Sequence, residues 1–401
     1  MSQQNQDPKF QEEVRDWIKN NFPSALAGKD PTSAGYAPEL ASDHDLWRQR
    51  LADKGWGAPT WPRQYGGADL SQGEERIINE ELSAANAFNP IPGLALMGVT
   101  MVGPTILDYG TEDQKQNHLG PIARGEVKWC LGLSEPGAGS DLASLRTRAV
   151  DDGDNYVLNG SKVWTSGAHQ SDWCGAVVRT DPDAKKRNGI SFVMLPMDQE
   201  GVDPQPIKLI SGASLFCETF FNDAIAEKSD LLGEPNDGWS VVKRLLQHER
   251  QSQIGARTAG AKSERIQDVA KRYIGLNDDG KLKDIDLRPR LASHLMDRQA
   301  HALTLARIAA EAKGKVEVSA AASILKNSAT NVSQTRADLT LEIMGDQGLG
   351  WEGDAFDLNE LETVRSWLYG MAASIAGGSF EIQYNIISKN ILGLPETTQQ
   401  G

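Results

Sequence analysis

The spacing of hydrophobic residues changes twice along the chain. Up to about residue 128 it is helical: Phe10, Val14, Trp17 and Ile18 form one stripe, and further stripes predict helices over 45–51, 74–87 and 97–109. Between about 129 and 232, short apolar runs predict β-strands at 156–158, 162–164, 174–179, 190–195 and 215–221. Helical spacing returns from Trp239, over 261–273, 287–312, 318–344 and 379–392. The pattern predicts a helical region, a small β region and a second helical region.

Two loops of the β region have distinctive sequences. Asn159-Gly160 stands between two strand-like runs, and both residues tolerate the positive φ angles of a two-residue turn, so the pair predicts a β-hairpin. The polar segment 181–189 separates two other runs, and its basic triplet Lys185-Lys186-Arg187 is expected to be a solvated surface loop. Both segments are thus expected to connect strands rather than to bind a ligand.

Composition narrows the classes of partner. The chain has 401 residues, enough for two or three domains of about 150 residues each. Its 41 basic and 55 acidic side chains leave a formal net charge of −14, so nucleic acid and anionic membrane surfaces are not expected as main partners. No apolar run reaches the roughly 18 residues of a membrane span, and the N-terminus lacks the features of a secretory signal. Three cysteines without a C-x-x-C pair fit a reducing compartment, and we expect a cytoplasmic protein.

The segment with the most chemical information is 132–141, which reads Gly-Leu-Ser-Glu-Pro-Gly-Ala-Gly-Ser-Asp. A loop of glycines, proline and hydroxyls can bring backbone N–H groups close to a flat polar ligand, although the same residues suit an ordinary turn. It lacks the third glycine and the following helix of a dinucleotide-binding fingerprint. The residues alone leave both interpretations open.

This segment resembles the first signature of the acyl-CoA dehydrogenase family, whose flavoenzymes desaturate acyl-CoA thioesters. Three later segments also resemble family motifs: Lys162-Val163-Trp164-Thr165-Ser166, then 230–233 with Gly238-Trp239, and 375–383. The resemblance implies an α+β multidomain fold, with an N-terminal α-helical domain (1–128), a middle β-barrel or sandwich domain (129–232) and a C-terminal four-helix bundle (233–401). It also implies FAD as cofactor, an acyl-CoA substrate, a role in lipid catabolism by β-oxidation, and an electron-transfer flavoprotein as electron acceptor.

The resemblance further implies three groups of FAD-binding residues. The group at the pyrimidine edge of the ring system consists of Leu131, Leu133 and Ser134. The group beside the isoalloxazine ring and its N5 consists of Trp164 and Ser166; for Trp164 the alternative is a tryptophan in the strand core. The group near the rest of the cofactor consists of Gly378, Ser379 and Glu381. Ser140 would lie near the flavin phosphates or the phosphopantetheine of the substrate, and Arg250 is a second candidate for substrate binding.

Desaturation needs a carboxylate to remove the α-proton of the thioester. Many family members carry it in the late segment, where this chain has Gly377. Members of the isovaleryl and long-chain types carry it on the first long helix of the C-terminal domain, and Glu249 occupies that position here. Glu249 shares one helix face with Val242, Leu245 and Leu246, so it extends an apolar stripe. The alternative is a surface glutamate paired with a neighbouring cation.

Gly377 retains a role in this interpretation. Family enzymes use the backbone N–H at this position to stabilise the thioester oxygen, and a glycine keeps that N–H. Because the carboxylate is missing there, the site could admit a branched, cyclic or steroid-like acyl group.

Two departures from the family pattern bear on assembly. The Arg-x-x-Phe-Gly motif that reaches the neighbouring subunit's FAD reads Lys-Arg-Tyr-Ile-Gly at 271–275, and the Gln-x-x-Gly-Gly segment reads Glu-Ile-Met-Gly-Asp at 342–346. Glu342 and Asp346 would oppose a nearby phosphate. Bacterial relatives that degrade steroid side chains resemble this pattern, and some are α2β2 heterotetramers. We therefore expect a homodimer, a homotetramer or one subunit of an α2β2 assembly.

Two alternatives keep the fold but change the function: a flavin monooxygenase or nitroalkane-oxidase-like enzyme, and a catalytically silent subunit. Glu249 favours the dehydrogenase, because the monooxygenase branch does not need a carboxylate base. The six histidines are scattered and form no H-E-x-x-H motif, so no metal site is expected.

Overall fold

The computed structural model describes residues 7–29, 38–258, 264–311 and 322–395, apart from the side chains of 250–258, 309–311, 322 and 323. These residues form two compact units. The first holds the chain up to residue 207 together with 214–258, and the second holds 208–213 together with the residues from 264 onward. None of the helices described is long and apolar enough to cross a membrane.

The first unit begins with helices, as the apolar stripes predict. Val14 and Ile18 are buried on one face of the first helix, and Ser71 and Glu74 form a capping box that starts the third. A single turn of π-helix, Gly98–Val102, precedes the fifth helix, so the predicted helix over 97–109 is irregular in its first half. The helices are α1 (Pro8–Asn21), α2 (Ala41–Asp53), α3 (Gln72–Ala84), α4 (Ile91–Leu94), α5 (Gly103–Tyr109) and α6 (Glu112–Ala123).

The β region forms one sheet in the order β6-β7-β3-β2-β4-β5-β8, with β1 parallel to β4. The predicted strands are present, and the sequence pattern missed the short or polar ones, β1, β2, β6 and β8. The strands are β1 (Trp129–Gly132), β2 (Arg148–Asp152), β3 (Asn155–Ser166), β4 (Trp173–Arg179), β5 (Ile190–Pro196), β6 (Val202–Ile207), β7 (Phe216–Glu227) and β8 (Leu231–Leu232).

The hairpin predicted at Asn159-Gly160 is wrong, because both residues lie inside the continuous strand β3. The strand has a register shift against β7 at this point, and the Asn159 amide exchanges hydrogen bonds with Asp223 across it. A Cβ on Gly160, at φ +150°, would lie 2.7 Å from Cα of Thr147. Glycine is needed here for close approach of the backbone, and the real two-residue turn is at 153–154, between β2 and β3.

The long helix α7 (Gly238–Thr258) belongs to the first unit and packs on the sheet. Val242 and Leu245 are fully buried in a core shared with Leu131 of β1 and Phe192 of β5. A Cβ on Gly238 would lie 2.4 Å from the carbonyl carbon of Ser191, so only glycine lets the helix begin this close to β5. The sheet thereby sets the position of α7.

The second unit is helical, as expected. Its helices are α8 (Ile266–Tyr273), α9 (Leu287–Glu311), α10 (Ala322–Met344), α11 (Leu358–Gly370) and α12 (Phe380–Ile386). The sequence pattern missed α11, although Asp357 and Glu360 form a capping box at its start. The side chain of Glu360 is almost fully buried, and the Tyr273 hydroxyl donates a 2.7 Å hydrogen bond to it from α8. This bond joins two helices that are far apart in sequence.

Tyr273→Phe is expected to lower the free energy of unfolding by about 1–3 kcal/mol, because a buried carboxylate oxygen of Glu360 loses its donor. Burial, and then the neighbouring Glu360 carboxylate, raise the pKa of Tyr273 from 10.0 to about 12. Since the folded-state pKa lies above the unfolded one, the tyrosine's contribution is complete below pH 10 and is lost as the pH rises from 10 toward 12. Urea unfolding across this range should show the loss in the parent protein and not in the variant. Equal pH dependence in both proteins would contradict the assignment.

Candidate functional site

The loop after β1 is held against the middle of β3 by backbone hydrogen bonds. The amide of Val163 donates to the carbonyl of Ser134 over 2.9 Å, and Glu135 and Ala138 exchange two backbone bonds of 3.0 Å that close the next turn. Leu133 and Ser134 are half-buried, while Ser140 is exposed. Two of the predicted pyrimidine-edge residues, Leu133 and Ser134, thus lie directly beside the strand segment that contains Trp164.

A buried ion pair lies under this loop. Lys162 is fully buried, and its Nζ lies 2.9 Å from Oε1 of Glu135 and donates to the carbonyl of Leu133 over 3.1 Å. The Glu135 carboxylate also accepts the backbone amides of Arg146 and Thr147 over 2.7 and 2.9 Å. Burial works against ionisation of Glu135, but the Lys162 ammonium and the Thr147 hydrogen bonds outweigh it and lower its pKa. The carboxylate is therefore charged at neutral pH.

Trp164 lies where β3 departs from regular pairing. The register against β7 shifts between Lys162 and Thr165, and Trp164 has φ +62°, a strained angle for a bulky residue. The residue is 54% exposed, and its ring meets the ring of Phe216 edge-on at a centroid distance of 6.1 Å. The alternative of a core tryptophan is therefore wrong. Strain that turns a large aromatic ring outward is typical of ligand-binding positions.

The hydroxyls of the loop after β1 and of β3 fit a flat aromatic ligand with a polar edge. Among the described residues, none forms a hydrogen bond with the hydroxyl of Ser134, Ser140 or Ser166, so these hydroxyls can bind a ligand. A Cβ at Gly137 or Gly139 would meet no atom within 4 Å, so the loop is open on that side. An exposed aromatic ring, available hydroxyls and an open glycine loop are the kinds of group that a flavin would need.

Glu249 lies at the end of the apolar stripe of α7, as predicted. Leu246, one turn before it, is partly buried against the core, and Glu249 itself is half-buried. The side chain of Arg250, the other residue predicted for this helix, lies outside the described residues. The helix therefore presents Glu249 from a face that is apolar on its preceding turns.

The same part of α7 is tied to α5 by Asp108. One oxygen of this carboxylate accepts from Nε of Arg244 over 2.6 Å and lies 2.8 Å from Nε2 of His248. Burial raises the pKa of Asp108, but the hydrogen bonds from Arg244 and His248 more than compensate and lower it. A charged anchor thus fixes the rotation of α7 one residue before Glu249.

The late segment lies in the second unit. Gly377 and Gly378 have φ +65° and +92°, and Ser379 caps α12 by accepting from the amide of Ile382. The carbonyl of Gly377 accepts from the Gln383 side chain over 3.3 Å. Hydrogen bonds to its own backbone N–H and to Ser379 lower the pKa of the exposed Glu381. Glycine at 377 therefore suits its left-handed backbone, where a glutamate would be strained.

The two departures from the family pattern lie in this unit too. Glu342 forms a bidentate ion pair with Arg290, which compensates part of its charge. Lys271 is paired with Asp268. The expected repulsion of phosphate by the acidic segment is therefore weaker at Glu342 than the sequence indicates.

The basic triplet 185–187 is exposed, as expected for a solvated loop. Lys186 lies 3.4 Å from Asp141, and Arg187 lies over the ring of Trp239. No group of three His, Cys, Asp or Glu side chains within the described part of the chain could hold a metal ion.

Sequence reasoning missed the pairing of Glu135 with Lys162 and the anchoring of α7 by Asp108. Glu135 and Lys162 both belong to segments that resemble family motifs, 132–141 and 162–166, but the sequence spacing does not show that these two segments meet. The anchoring by Asp108 had no sequence signal, because Asp108 lies in a mostly apolar helical segment far from α7 in sequence.

Comparison with known proteins identifies the class. The acyl-CoA dehydrogenase N-terminal, middle and C-terminal domain models match residues 5–126, 130–224 and 236–392. The chain belongs to the acyl-CoA dehydrogenase family of FAD-dependent oxidoreductases. This confirms the predicted family, the class of enzyme and the fold of a helical, a β and a second helical domain.

Within the family, the chain is similar to bacterial proteins. It is 35% identical over 389 residues to the acyl-CoA dehydrogenase IpdE1 of Mycobacterium tuberculosis, covering 96% of this chain and 97% of that protein. It superimposes on the Tcur3481–Tcur3483 steroid ACAD with a TM-score of 0.76 and 28% identity, over 99% and 100% of the two chains. The ChsE4–ChsE5 complex of M. tuberculosis gives a TM-score of 0.74 and 28% identity over the same shares.

Proposed function

We propose that this chain uses FAD to introduce an α,β double bond into an acyl-CoA thioester whose acyl group is branched, cyclic or steroid-like. The observation that carries the proposal is Glu249, a half-buried carboxylate at the end of the apolar face of α7. It occupies the alternative base position of the family, and the usual position holds Gly377.

Two sets of residues are proposed to bind FAD. Leu131, Leu133 and Ser134 meet the pyrimidine edge, and Trp164 and Ser166 lie beside the ring; the exposure of Trp164 supports this placement. Gly378, Ser379 and Glu381 serve the rest of the cofactor, and the lowered pKa of Glu381 leaves a carboxylate that suits ribose hydroxyls rather than phosphate. When bound, FAD supplies the acceptor for the hydride that leaves the β-carbon.

Glu249 takes the α-proton onto its carboxylate. The residues before it support this role in two ways: Val242 and Leu245 exclude water from the helix face, and Asp108 holds the helix through Arg244 and His248. The backbone N–H of Gly377 donates to the thioester oxygen, which stabilises the negative charge that develops as the α-proton leaves. Ser140 and Arg250 are the proposed contacts to the CoA part of the substrate.

Two observations support a bulky acyl group in the substrate. Gly377 leaves free the volume that a glutamate side chain would fill. Two of the solved structures that superimpose over nearly the whole chain are described as steroid ACADs.

We propose that a second, different family member completes the assembly as an α2β2 heterotetramer, with an electron-transfer flavoprotein as acceptor. Asp346 and Lys271 replace residues that serve the inter-subunit FAD contact in relatives. Two of the similar solved structures, Tcur3481–Tcur3483 and ChsE4–ChsE5, are each named for two different proteins. Light scattering and the FAD-to-protein ratio of the purified chain test this. Less than one FAD per chain is expected, whereas a homotetramer with one FAD per chain would contradict the heteromer.

The activity itself is tested anaerobically. The purified protein, reconstituted with FAD, should be yellow and should bleach on addition of an acyl-CoA, faster with steroid-like or branched thioesters than with linear ones. The oxidase or monooxygenase alternative would be favoured if no acyl-CoA thioester bleached the bound FAD, and the protein reacted instead with nitroalkanes or with oxygen and a reductant. Absence of FAD binding under all conditions would favour a silent subunit.

A further inference from the structure

We propose that the buried Lys162–Glu135 pair positions the flavin-binding loop and balances the charge beneath it. The Lys162 charge raises the reduction potential of the bound flavin, and the Glu135 charge lowers it. The inference rests on the proposed function, in which Leu133 and Ser134 meet the pyrimidine edge of FAD. Neither residue is proposed to contact the flavin or the substrate.

The geometry makes the pair a structural link between loop and strand. Lys162 projects from β3, and its ammonium bonds both the carbonyl of Leu133 and the carboxylate of Glu135. Glu135 in turn binds the backbone where β2 begins, through the amides of Arg146 and Thr147. Moving either side chain would therefore move Leu133 and Ser134, which directly precede Glu135 and are held by the bond from Lys162.

The space around the pair is closed. A Cβ on Gly132 would lie 3.1 Å from Cγ of Lys162, so the glycine makes room for the lysine stem. The ammonium is fully buried and the carboxylate is 9% exposed, so solvent screens neither charge strongly. Arg179 also lies within electrostatic reach of Glu135 and donates to the carbonyl of Ala143, but its charge is the same in every variant proposed below.

Because the two charges of the pair have opposite signs, removing one or the other should change the flavin midpoint potential in opposite directions. Reduction of a flavin adds negative charge to its pyrimidine ring, and a nearby buried cation favours that charge while a buried anion opposes it. Lys162→Met leaves the Glu135 carboxylate alone and should shift the midpoint potential to more negative values. Glu135→Gln leaves the ammonium alone and should shift it to more positive values. A role confined to packing would not produce shifts of opposite sign.

The experiment measures FAD affinity by fluorescence and the midpoint potential by anaerobic spectroelectrochemical titration of the holoprotein. The variants are Lys162→Met, Glu135→Gln and the double variant. Each single change is expected to weaken FAD binding by about tenfold, the scale for losing one charge-assisted hydrogen bond. The double variant should return the potential close to that of the parent.

Two controls separate charge from position. Lys228→Met removes the same charge from a partly exposed pair with Asp151, beyond the opposite end of β3, and should leave the potential unchanged. Gly132→Ala crowds the Lys162 stem without changing any charge, and should weaken FAD binding with little change in potential.

The outcomes are distinguishable from failure of the proposed function. If the parent chain, alone or in its complex, binds no FAD, the proposed function fails. If the parent binds FAD but the two single variants shift the potential in the same direction, or not at all, this inference is wrong. Should Lys162→Met not retain FAD, a positive shift in Glu135→Gln that the double variant reverses still supports the pair, and its absence overturns it.

Discussion

Glu249→Gln is expected to lower kcat for acyl-CoA desaturation by about 10²–10⁴-fold, the contribution typical of a positioned general base. The amide has nearly the same shape but cannot accept the α-proton, so FAD and substrate should still bind. Anaerobic stopped-flow measurement of flavin bleaching isolates this step from electron transfer to an acceptor. The loss should appear in the bleaching rate and not in the FAD affinity.

The matched control is Glu234→Gln, an exposed glutamate shortly before α7 that should leave the rate unchanged. A bleaching rate near that of the parent in Glu249→Gln would show that the base lies elsewhere. Loss of FAD together with activity would show instead that Glu249 supports the fold of the site. The two results separate a chemical role from a structural one.

Lys162→Met is expected to lower the free energy of unfolding by about 3–5 kcal/mol, because it leaves the buried Glu135 carboxylate without its counter-ion. Adding Glu135→Gln should recover much of this loss, since the neutral amide needs no counter-ion and its oxygen can still accept one of the two backbone amides just before β2. Thermal and urea unfolding of the single and double variants measure the coupling.

The exposed pair Lys228–Asp151 provides the comparison for stability as well. Its loss in Lys228→Met should cost much less stability than the loss of the Lys162 charge, since solvent screens that pair. A similar cost for both lysines would mean that burial does not strengthen the Lys162 pair. A double variant no more stable than Lys162→Met would mean that the two residues act independently.

Local periodicity predicted most of the elements and failed where contacts are distant in sequence. The helical stripes around Val14 and along α7 were found because their spacing is set by one face packing on a core. Asn159-Gly160 was misplaced, because a dipeptide that suits a turn equally suits a bulge, and only pairing of β3 with β7 decides between them. The helix α11 was missed because its core face is completed by Tyr273, 87 residues away from Glu360.

Some features of the candidate site were also predicted from local sequence, and others became visible only in the folded chain. The signature loop, the Trp164 strand and Glu249 were found from local motifs, since the chemistry of a flavin enzyme restricts which residues can stand there. The exposure and strained φ of Trp164, the Asp108 anchor and the compensation of Glu342 by Arg290 came only from the folded chain. Each depends on which side chains meet after the elements have packed.

The sequence by itself determined the family, the order of helical and β regions, and the residue types that carry the chemistry, because these follow from local spacing and local motifs. The tertiary structure alone decided that Lys162 lies buried on Glu135, 27 positions away in sequence, under the loop that presents Leu133 and Ser134. Burial and pairing of charges depend on the whole sheet, since the register of β3 against its neighbours places the lysine, and no segment of the chain contains that register.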